Sequence, residues 1–287
     1  MGKKIILSIL AGIAVICVIS CVVSTYCLHV TKETYTTDRI SGNLRIVQIS
    51  DLHNAEFGKG NQRLVKKIQE QEPDLILVTG DLLNLSEENT EIAVAFLEQI
   101  RQIAPVYVSY GNHEVDYESH FGIDLKALFE QTGVTVLRDE FVDVSVGGQE
   151  IRIGGCYGHC YPKEKQYGDE NSGGTASYLY QFEETERFKI LMTHIPTTWL
   201  LCDTLETWDI DLVFTGHFHG GQIRFPLIGG VYAPDMGYFP GRLSGVYPTS
   251  DGKRWLIVSR GLGNTEKIPR MNNIPEIVVT DVCGLRK

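Results

Sequence analysis

The chain has 287 residues, of which 43% are hydrophobic and 22% are charged, so its composition is that of an ordinary folded protein. That length fits one large domain or two small ones. The formal net charge of −10, with no basic cluster beyond Lys66-Lys67, argues against a surface for a nucleic-acid polymer. An anionic ligand would need a source of positive charge other than lysine and arginine.

The amino terminus carries a long apolar segment. Lys3 and Lys4 precede a nearly uninterrupted apolar run over residues 5–27, which is long enough to cross a bilayer as a helix. We predict a retained signal-anchor helix over residues 1–30, because a cleaved signal usually has a shorter apolar core and a small-residue cleavage site. A lipoprotein-like cleavage box at residues 18–21 (VISC) is the alternative, and either route leaves the protein at a membrane.

The charges that flank this segment predict its orientation. Lys3, Lys4 and the amino terminus favour the short end inside the cell, although Lys32 and Arg39 lie close on the other side. We therefore expect a single-pass protein of the cell membrane whose main part lies outside the cytoplasm.

The rest of the chain predicts a stalk followed by one domain. Residues 31–42 are polar without a strong period and are predicted as the stalk, and residues 43–287 are predicted as a single unit. Runs rich in β-branched residues alternate with helical spacing at residues 61–71 and 90–103, which is typical of a layered α/β fold. Alternation around Gly147-Gly148 predicts a hairpin over residues 141–155, so the sheets are expected to be mixed.

Residues that can bind a metal follow five of the predicted strands. Any one of these polar residues could simply cap the end of a strand where the chain emerges into water. That explanation does not account for the whole set, because five of the eight histidines in the chain follow a predicted strand. Sites in open α/β sheets form outside the carboxyl ends of the strands, where side chains distant in sequence can converge. The residues that follow these strands are Asp51 and His53, Asp81, Asn112 and His113, His194, and His217 and His219.

The donor types narrow the choice of metal. Oxygen and imidazole donors without a thiolate suit Mn, Fe, Zn or Co. Even without His113, seven candidate ligands are too many for one tetrahedral ion, and they suit two ions roughly 3.5 to 4 Å apart that share a bridging carboxylate and a bridging hydroxide. Such a pair suits in-line displacement at phosphorus and supplies the positive charge that the acidic chain lacks. Gly80, Gly111 and Gly216 each precede a candidate ligand and are expected to permit the sharp turns that aim it inward.

The order of these residues resembles the signature of a known family. The calcineurin-like metallophosphoesterase superfamily has five motifs, which resemble Asp51-Leu-His53, Gly80-Asp81, Gly111-Asn112-His113-Glu114, His194 and Gly216-His217-Phe-His219. The resemblance implies a four-layer α-β-β-α sandwich of two mixed sheets. It also implies that one metal is bound by Asp51, His53 and His219 and the other by Asn112, His194 and His217, with Asp81 as the bridge between them.

The same resemblance implies a catalytic role for one histidine that is not a ligand. The counterpart of His113 lies near the leaving group and stabilises it or donates a proton, a role that suits an imidazole. Glu114 stands where the family often has aspartate, and it is expected to orient His113.

The later part of the chain resembles one branch of the superfamily. The segments GHFHGGQIRFPLIGG, SRGLGNT and NNIPEIVV are similar to those of membrane-associated bacterial phosphodiesterases of the YkuE-like branch. Some relatives in that branch hydrolyse the pyrophosphate bond of UDP-2,3-diacylglucosamine. The resemblance implies a phosphodiesterase or pyrophosphatase that acts on lipid-linked or cell-envelope phosphoesters. Two alternatives stay open: a phosphomonoesterase acting on soluble substrates, and a catalytically silent, membrane-anchored metal-binding module.

Overall fold

The structure is a computed structural model, and it describes residues 2–165, 173–264 and 269–285. Within these residues the helices are α1 (Gly2–Tyr26), α2 (Gln62–Gln69), α3 (Glu91–Ile100), α4 (Asn112–Phe121), α5 (Leu125–Glu130), α6 (Gly173–Glu183), α7 (Thr197–Leu201) and α8 (Thr204–Thr207). The first strands are β1 (His29–Thr37), β2 (Asn43–Ile49), β3 (Leu75–Thr79), β4 (Val106–Ser109), β5 (Thr135–Leu137), β6 (Glu140–Val146), β7 (Gln149–Cys156) and β8 (Phe188–Thr193). The later strands are β9 (Leu212–Thr215), β10 (Arg224–Phe225), β11 (Gly229–Gly230), β12 (Tyr232–Ala233), β13 (Gly237–Tyr238), β14 (Gly245–Pro248), β15 (Trp255–Val258) and β16 (Glu276–Gly284).

Two six-stranded sheets form the centre of the molecule. The first sheet has the strand order β1-β16-β2-β3-β4-β5, and the second has the order β14-β15-β9-β8-β7-β6. Both sheets are mixed: β2 to β5 run parallel and β16 pairs antiparallel with β2, while β7, β8, β9 and β15 run parallel between antiparallel strands at each edge. The predicted mixed α/β fold is confirmed.

Alternate residues of strand β3 pack on opposite faces of the first sheet. Leu75 and Leu77 of β3 pack between the two sheets, whereas Ile76 and Val78 pack with α2 and α3 on the outer face of the first sheet. This follows from the two-residue period of a strand. A third apolar cluster joins the outer face of the second sheet to α6, α7 and α8. The four layers α-β-β-α are therefore present.

The local predictions for the first half of the chain are confirmed. The helix expected within residues 61–71 is α2, and the one expected within 90–103 is α3. The predicted hairpin is formed by β6 and β7, which pair antiparallel from Glu140 opposite Gly155 to Val146 opposite Gln149.

The predicted stalk is wrong for most of its length. Residues 29–37 form β1, which pairs in parallel with all nine residues of β16 at the edge of the first sheet. Tyr35 and Thr37 point inward and are buried, while most of the strand is exposed or half-buried. An edge strand is held by backbone hydrogen bonds along one side and tolerates polar side chains, so its composition is similar to that of a linker. The folded unit therefore begins before residue 43.

The amino-terminal helix contacts the rest of the protein at its carboxyl-terminal end. An 18-residue window of α1 has a mean hydropathy of 3.0, so the helix is long and apolar enough to cross a membrane. Asn272 donates its backbone N–H to Ser20 Oγ (2.7 Å), and Asn273 donates its own to Ser24 Oγ (3.0 Å). Arg63 donates to the carbonyl of Tyr26 (2.9 Å). These contacts attach the last two turns of α1 to the domain.

A buried amide links the two sheets beneath the strand ends. Gln48 of β2 is fully buried, and its Nε2 donates to Thr79 Oγ1 (3.0 Å) in the same sheet and to the carbonyl of Thr215 (2.8 Å) in the facing sheet. Thr79 and Thr215 are the last residues of β3 and β9. The amide therefore holds two strand ends of opposite sheets in register.

We predict that Gln48→Met lowers the free energy of unfolding by about 1–3 kcal/mol, because the two acceptors lose a donor inside the core. Chemical denaturation of the full-length protein in detergent measures this change. Gln102→Met, at an exposed position, is the matched control and is expected to leave stability unchanged. Equal stability of both variants would contradict the bridging role of Gln48.

Candidate metal centre

The predicted ligands stand in turns at the carboxyl ends of parallel strands from both sheets. Asp51 follows β2, Asp81 follows β3 and Asn112 follows β4 in the first sheet, while His194 follows β8 and His217 follows β9 in the second. Backbone hydrogen bonds join these turns: the N–H of Asp51 donates to the carbonyl of Gly80 (3.0 Å), and that of Gly216 donates to the carbonyl of His194 (3.0 Å). The sheet packing thus brings together residues that are far apart in sequence.

Their side chains form overlapping groups that could hold metal ions. In each group the potential ligand atoms lie within 4.8 Å of one another, and the groups are Asp51, His53 and His219; Asp81, His194 and His217; and His53, Asp81 and His113. Asp81 joins the first two, since its Oδ2 lies 3.6 Å from His53 Nε2 and 3.0 Å from His194 Nε2. Asp81 therefore lies between the two groups.

Several polar atoms of these residues are buried and have no hydrogen-bond partner within the described part of the chain. A buried polar atom without a partner costs free energy, and here the ones concerned are all able to bind a cation. They are Asp51 Oδ2, His53 Nε2, Asn112 Oδ1 and His217 Nε2. The donor set fits two divalent ions with oxygen and nitrogen ligands.

Carbonyl groups set the orientation of two of the imidazole rings. His53 Nδ1 lies 3.1 Å from the carbonyl of Leu83, and His194 Nδ1 lies 2.7 Å from the carbonyl of Thr79. A carbonyl oxygen can only accept, so each ring donates through Nδ1. In both rings Nε2 then faces the other candidate ligand atoms, which is the usual arrangement of a histidine that binds a metal.

Most of the candidate ligands have a left-handed backbone conformation. Positive φ angles occur at Asp51 (54°), His53 (46°), Asp81 (56°), His217 (69°) and His219 (48°). Each such residue costs about 1–2 kcal/mol relative to the right-handed conformation. Conformations of this kind persist where the surrounding contacts impose them, and they cluster at functional sites.

The glycines before these residues act in two ways. Gly80 has a φ of +85°, so it permits the sharp turn that the sequence predicted. Gly111 and Gly216 lie in the connections after β4 and β9 but are not in the left-handed region, so their turns do not depend on the conformational freedom of glycine. A Cβ on Gly111 would lie 2.1 Å from Asp81 Oδ1, and one on Gly216 would lie 2.4 Å from Asp51 Oδ2. They are needed because the backbone passes directly against the two carboxylates.

Burial keeps most of these imidazoles neutral. It lowers the pKa of His53 to about 3 and that of His217 to about 4. Burial, with the charge of the neighbouring Arg270, also lowers the pKa of His219 well below its usual range. For His194, burial acts in the same direction but the Asp81 carboxylate outweighs it and raises the pKa to about 10. An imidazole binds a metal only when the coordinating nitrogen is unprotonated, so His194 would have to lose its proton to act as a ligand.

Glu114 has a role that the sequence did not indicate. Its buried carboxylate accepts three backbone N–H groups, from Asp81 (2.7 Å), Leu82 (2.7 Å) and Gly111 (2.8 Å). The expected orienting contact with His113 is replaced by these bonds. Glu114 is the third residue of α4, where a glutamate commonly binds backbone N–H groups at a helix start, and this spacing was the signal available in the sequence. It fastens the turn that carries Asp81 to the turn that carries Asn112.

A buried arginine beside the ligands was also missed. Arg270 is 1% exposed, and its Nη2 lies 3.2 Å from His219 Nδ1 while its guanidinium donates to the carbonyl of Gly263 (3.0 and 2.8 Å). It lies in an irregular segment, where hydrophobic periodicity provides no information. Its permanent charge contributes to keeping His219 neutral.

The profile of the Calcineurin-like phosphoesterase family matches residues 44–221, which is more than half of the chain. The chain belongs to this family. Together with the clustered histidine and aspartate ligands, this makes it a metal-dependent phosphoester hydrolase.

Curated relatives agree with that assignment. The chain is 29% identical to the uncharacterised metallophosphoesterase YkuE of Bacillus subtilis over 258 residues, which cover 88% of this chain and 82% of the relative. It is 26% identical to the phosphodiesterase YaeI of Escherichia coli over 249 residues, which cover 83% and 82% of the two chains. The solved structure of a 5'-nucleotidase precursor from Thermus thermophilus shares the fold, with a TM-score of 0.50 and 13% identity over 84% of this chain and 54% of that one.

We predict that Glu114→Gln weakens metal binding about 10–100-fold, the usual effect of removing a group that positions a ligand. An amide in place of the carboxylate brings an N–H group against the N–H groups of Asp81, Leu82 and Gly111, and the turn of Asp81 has to shift. Metal retention in buffered chelator, measured by elemental analysis of the full-length protein, tests this.

The matched control for this prediction is Glu118→Gln on the same helix. Glu118 accepts from Tyr110 Oη (2.7 Å), from the backbone N–H of Leu125 (3.1 Å) and from Arg138 Nη1 (2.8 Å), none of which is a candidate ligand. Its substitution is expected to leave metal affinity unchanged. Equal affinity of the two variants would show that Glu114 does not position the centre.

Proposed function

We propose that this protein hydrolyses phosphodiester or pyrophosphate bonds of lipid-linked or cell-envelope substrates, from a single-pass anchor that places the catalytic domain outside the cytoplasm. The observation that carries the chemistry is the pair of ligand groups joined by the Asp81 carboxylate. The name of the relative YaeI, a phosphodiesterase, supports a diester over a monoester. The apolar helix α1 and its hydrogen bonds to residues 272–273 support a substrate at the membrane.

The proposal divides the candidate ligands between two metal ions. We assign Asp51, His53 and His219 to one ion and Asn112, His194 and His217 to the other, with Asp81 between them. Two divalent ions would supply the activated water and the positive charge that a phosphoryl group needs. The carbonyl groups of Leu83 and Thr79 keep the rings of His53 and His194 turned toward the centre.

We assign His113 the role of acting on the leaving group. It is half-buried on the first turn of α4, its ring centroid lies 4.6 Å from that of His53, and its backbone N–H donates to Asp81 Oδ1 (2.9 Å). Its Nδ1 is buried and has no hydrogen-bond partner within the described residues. An imidazole held here at the edge of the centre can give a proton to the departing oxygen without being needed as a ligand.

The test uses the full-length protein in detergent with bis-p-nitrophenyl phosphate and p-nitrophenyl phosphate. We expect turnover with Mn or Zn, loss of turnover with chelator and in Asp81→Ala, and a preference for the diester. Faster cleavage of the monoester would favour the soluble phosphomonoesterase. Two bound ions without turnover of either compound would favour the silent metal-binding module.

A second prediction concerns the proton donor. His113→Ala is expected to lower kcat by about 10²–10⁴, the usual contribution of a general acid, while both ions stay bound. His120→Ala changes an exposed histidine on the same helix and is the control. If His113→Ala loses metal along with activity, His113 is a ligand and the assignment as a proton donor is wrong.

A further inference from the structure

Exposed apolar side chains are concentrated in one short segment outside α1. Of the large hydrophobic residues after α1 that are exposed within the described chain, all but Leu201 and Leu285 lie between residues 225 and 239. They include the consecutive run 225–228 (FPLI), which is exposed throughout and forms the tip of the hairpin β10–β11. A run of four exposed apolar residues is unfavourable in water and indicates a surface that contacts something apolar. We call residues 224–239, which also include the hairpin β12–β13, the apolar loop.

The apolar loop lies directly against the metal centre. Gly230 packs so closely on the turn after His219 that a Cβ on Gly221 would lie 2.6 Å from Gly230 Cα. Asp235, at the turn of β12–β13, has its Oδ2 3.5 Å from His217 Nε2. The loop therefore forms part of the wall around the ligands.

The apolar loop also lies beside the end of α1. The backbone N–H of Arg224 donates to the carbonyl of Met271 (3.0 Å), and Asn272 Nδ2 donates to the carbonyl of Arg224 (3.3 Å). Asn272 is the residue whose N–H donates to Ser20 of α1. Ser20 is six residues before the end of the helix, which at 1.5 Å per residue is about 9 Å along its axis. The base of the apolar loop therefore reaches alongside the last turns of the apolar helix.

Basic residues lie near the same end of α1. Arg63 binds the carbonyl of Tyr26, and a surface hollow beside it is lined by Leu28, by the basic residues Arg63, Lys66 and Lys67, and by Glu70, whose carboxylate lies 3.9 Å from Lys67 Nζ. Basic residues at such a position attract anionic headgroups, with about 1 kcal/mol for each lysine or arginine near the surface. The end of α1 thus has apolar side chains nearby in the apolar loop and positive charge in α2.

We propose that the apolar loop inserts into the interfacial layer of the bilayer that α1 crosses, so that the metal centre faces the phosphate groups at the membrane surface. This inference rests on one part of the proposed function, namely that α1 anchors the protein in a membrane. The occupant of the exposed apolar surface is the lipid bilayer, because the base of the loop is joined through Asn272 to a helix of membrane-spanning length, and the end of that helix contacts the basic helix α2. A substrate with a lipid tail would then reach the centre without leaving the membrane.

Tryptophan fluorescence tests this position in the bilayer. Full-length protein carrying Leu227→Trp is reconstituted into vesicles of phosphatidylcholine and phosphatidylglycerol, with or without phosphatidylcholine that bears a nitroxide on its upper acyl chain. The emission of the introduced tryptophan is expected at a shorter wavelength than that of a tryptophan in water. In vesicles that contain the nitroxide lipid, this emission is expected to be quenched. Leu227 is fully exposed, so the substitution does not disturb the core. The unmodified protein supplies the background from its own tryptophans.

Leu285→Trp is the matched control. Leu285 is 54% exposed and bonds through its N–H to the carbonyl of Thr37, at the far end of β1 from α1. Nine residues of strand span about 30 Å, which places Leu285 well away from the bilayer. Its added emission is expected to be insensitive to the nitroxide lipid. Ile228→Trp, beside Leu227 in the tip, repeats the test at a second position.

The possible results separate this inference from the proposed function. Quenching at 227 and 228 but not at 285 supports insertion of the loop. Emission at 227 and 228 that is as insensitive as at 285 overturns it, and it would point to a protein partner or to solvent. Hydrolysis of bis-p-nitrophenyl phosphate by the same preparations reports on the catalytic proposal independently, so quenching without hydrolysis would reject the catalysis alone.

Discussion

The Asp81 carboxylate is the group on which the rest of the site depends. One oxygen lies between His53 and His194, which come from different sheets, and the other accepts the backbone N–H of His113. Its own backbone N–H is held by Glu114. Because the two candidate ligand groups meet at this side chain, the distance between these groups is set by the packing of one sheet against the other. Gln48 fixes that packing directly below the centre.

The centre combines several unfavourable features, and an ion would satisfy the buried polar atoms among them. Its ligands combine burial, left-handed backbone and polar atoms without protein partners, and each of these features costs free energy in the metal-free fold. The compensation comes from close backbone packing at Gly111 and Gly216, and from carbonyl groups that hold the imidazoles. Any ion that binds the folded state alone also stabilises it, so metal binding and folding are linked here.

The amino-terminal helix and the metal centre are physically connected. Asn273 donates its backbone N–H to Ser24 of α1, and its side chain donates to the carbonyl of His219 (2.6 Å). One residue thus contacts both the candidate anchor and a candidate ligand. The helix is therefore hydrogen-bonded to a residue that also contacts the site, which distinguishes it from a tether that makes no contact with the domain.

The sequence by itself determined the layered fold, the apolar helix and the identity of the candidate ligands. These are local properties: hydrophobic period defines strands and helices, and polar residues at the strand ends are visible in the chain itself. The grouping of the ligands came from resemblance to a family, because no local pattern states which strand ends meet.

Only the tertiary structure decided the remaining features. The polar residues of β1 were predicted as a stalk, since an edge strand is defined by its pairing with β16 and not by its own composition. The contacts of Glu114 with a turn more than thirty residues away, and the position of Arg270 beside His219, have no local signature. The apolar loop likewise reads as an ordinary hydrophobic stretch until its exposure is known. Local patterns indicate which side chains are hydrophobic, and the packing of distant segments decides which of these side chains are buried.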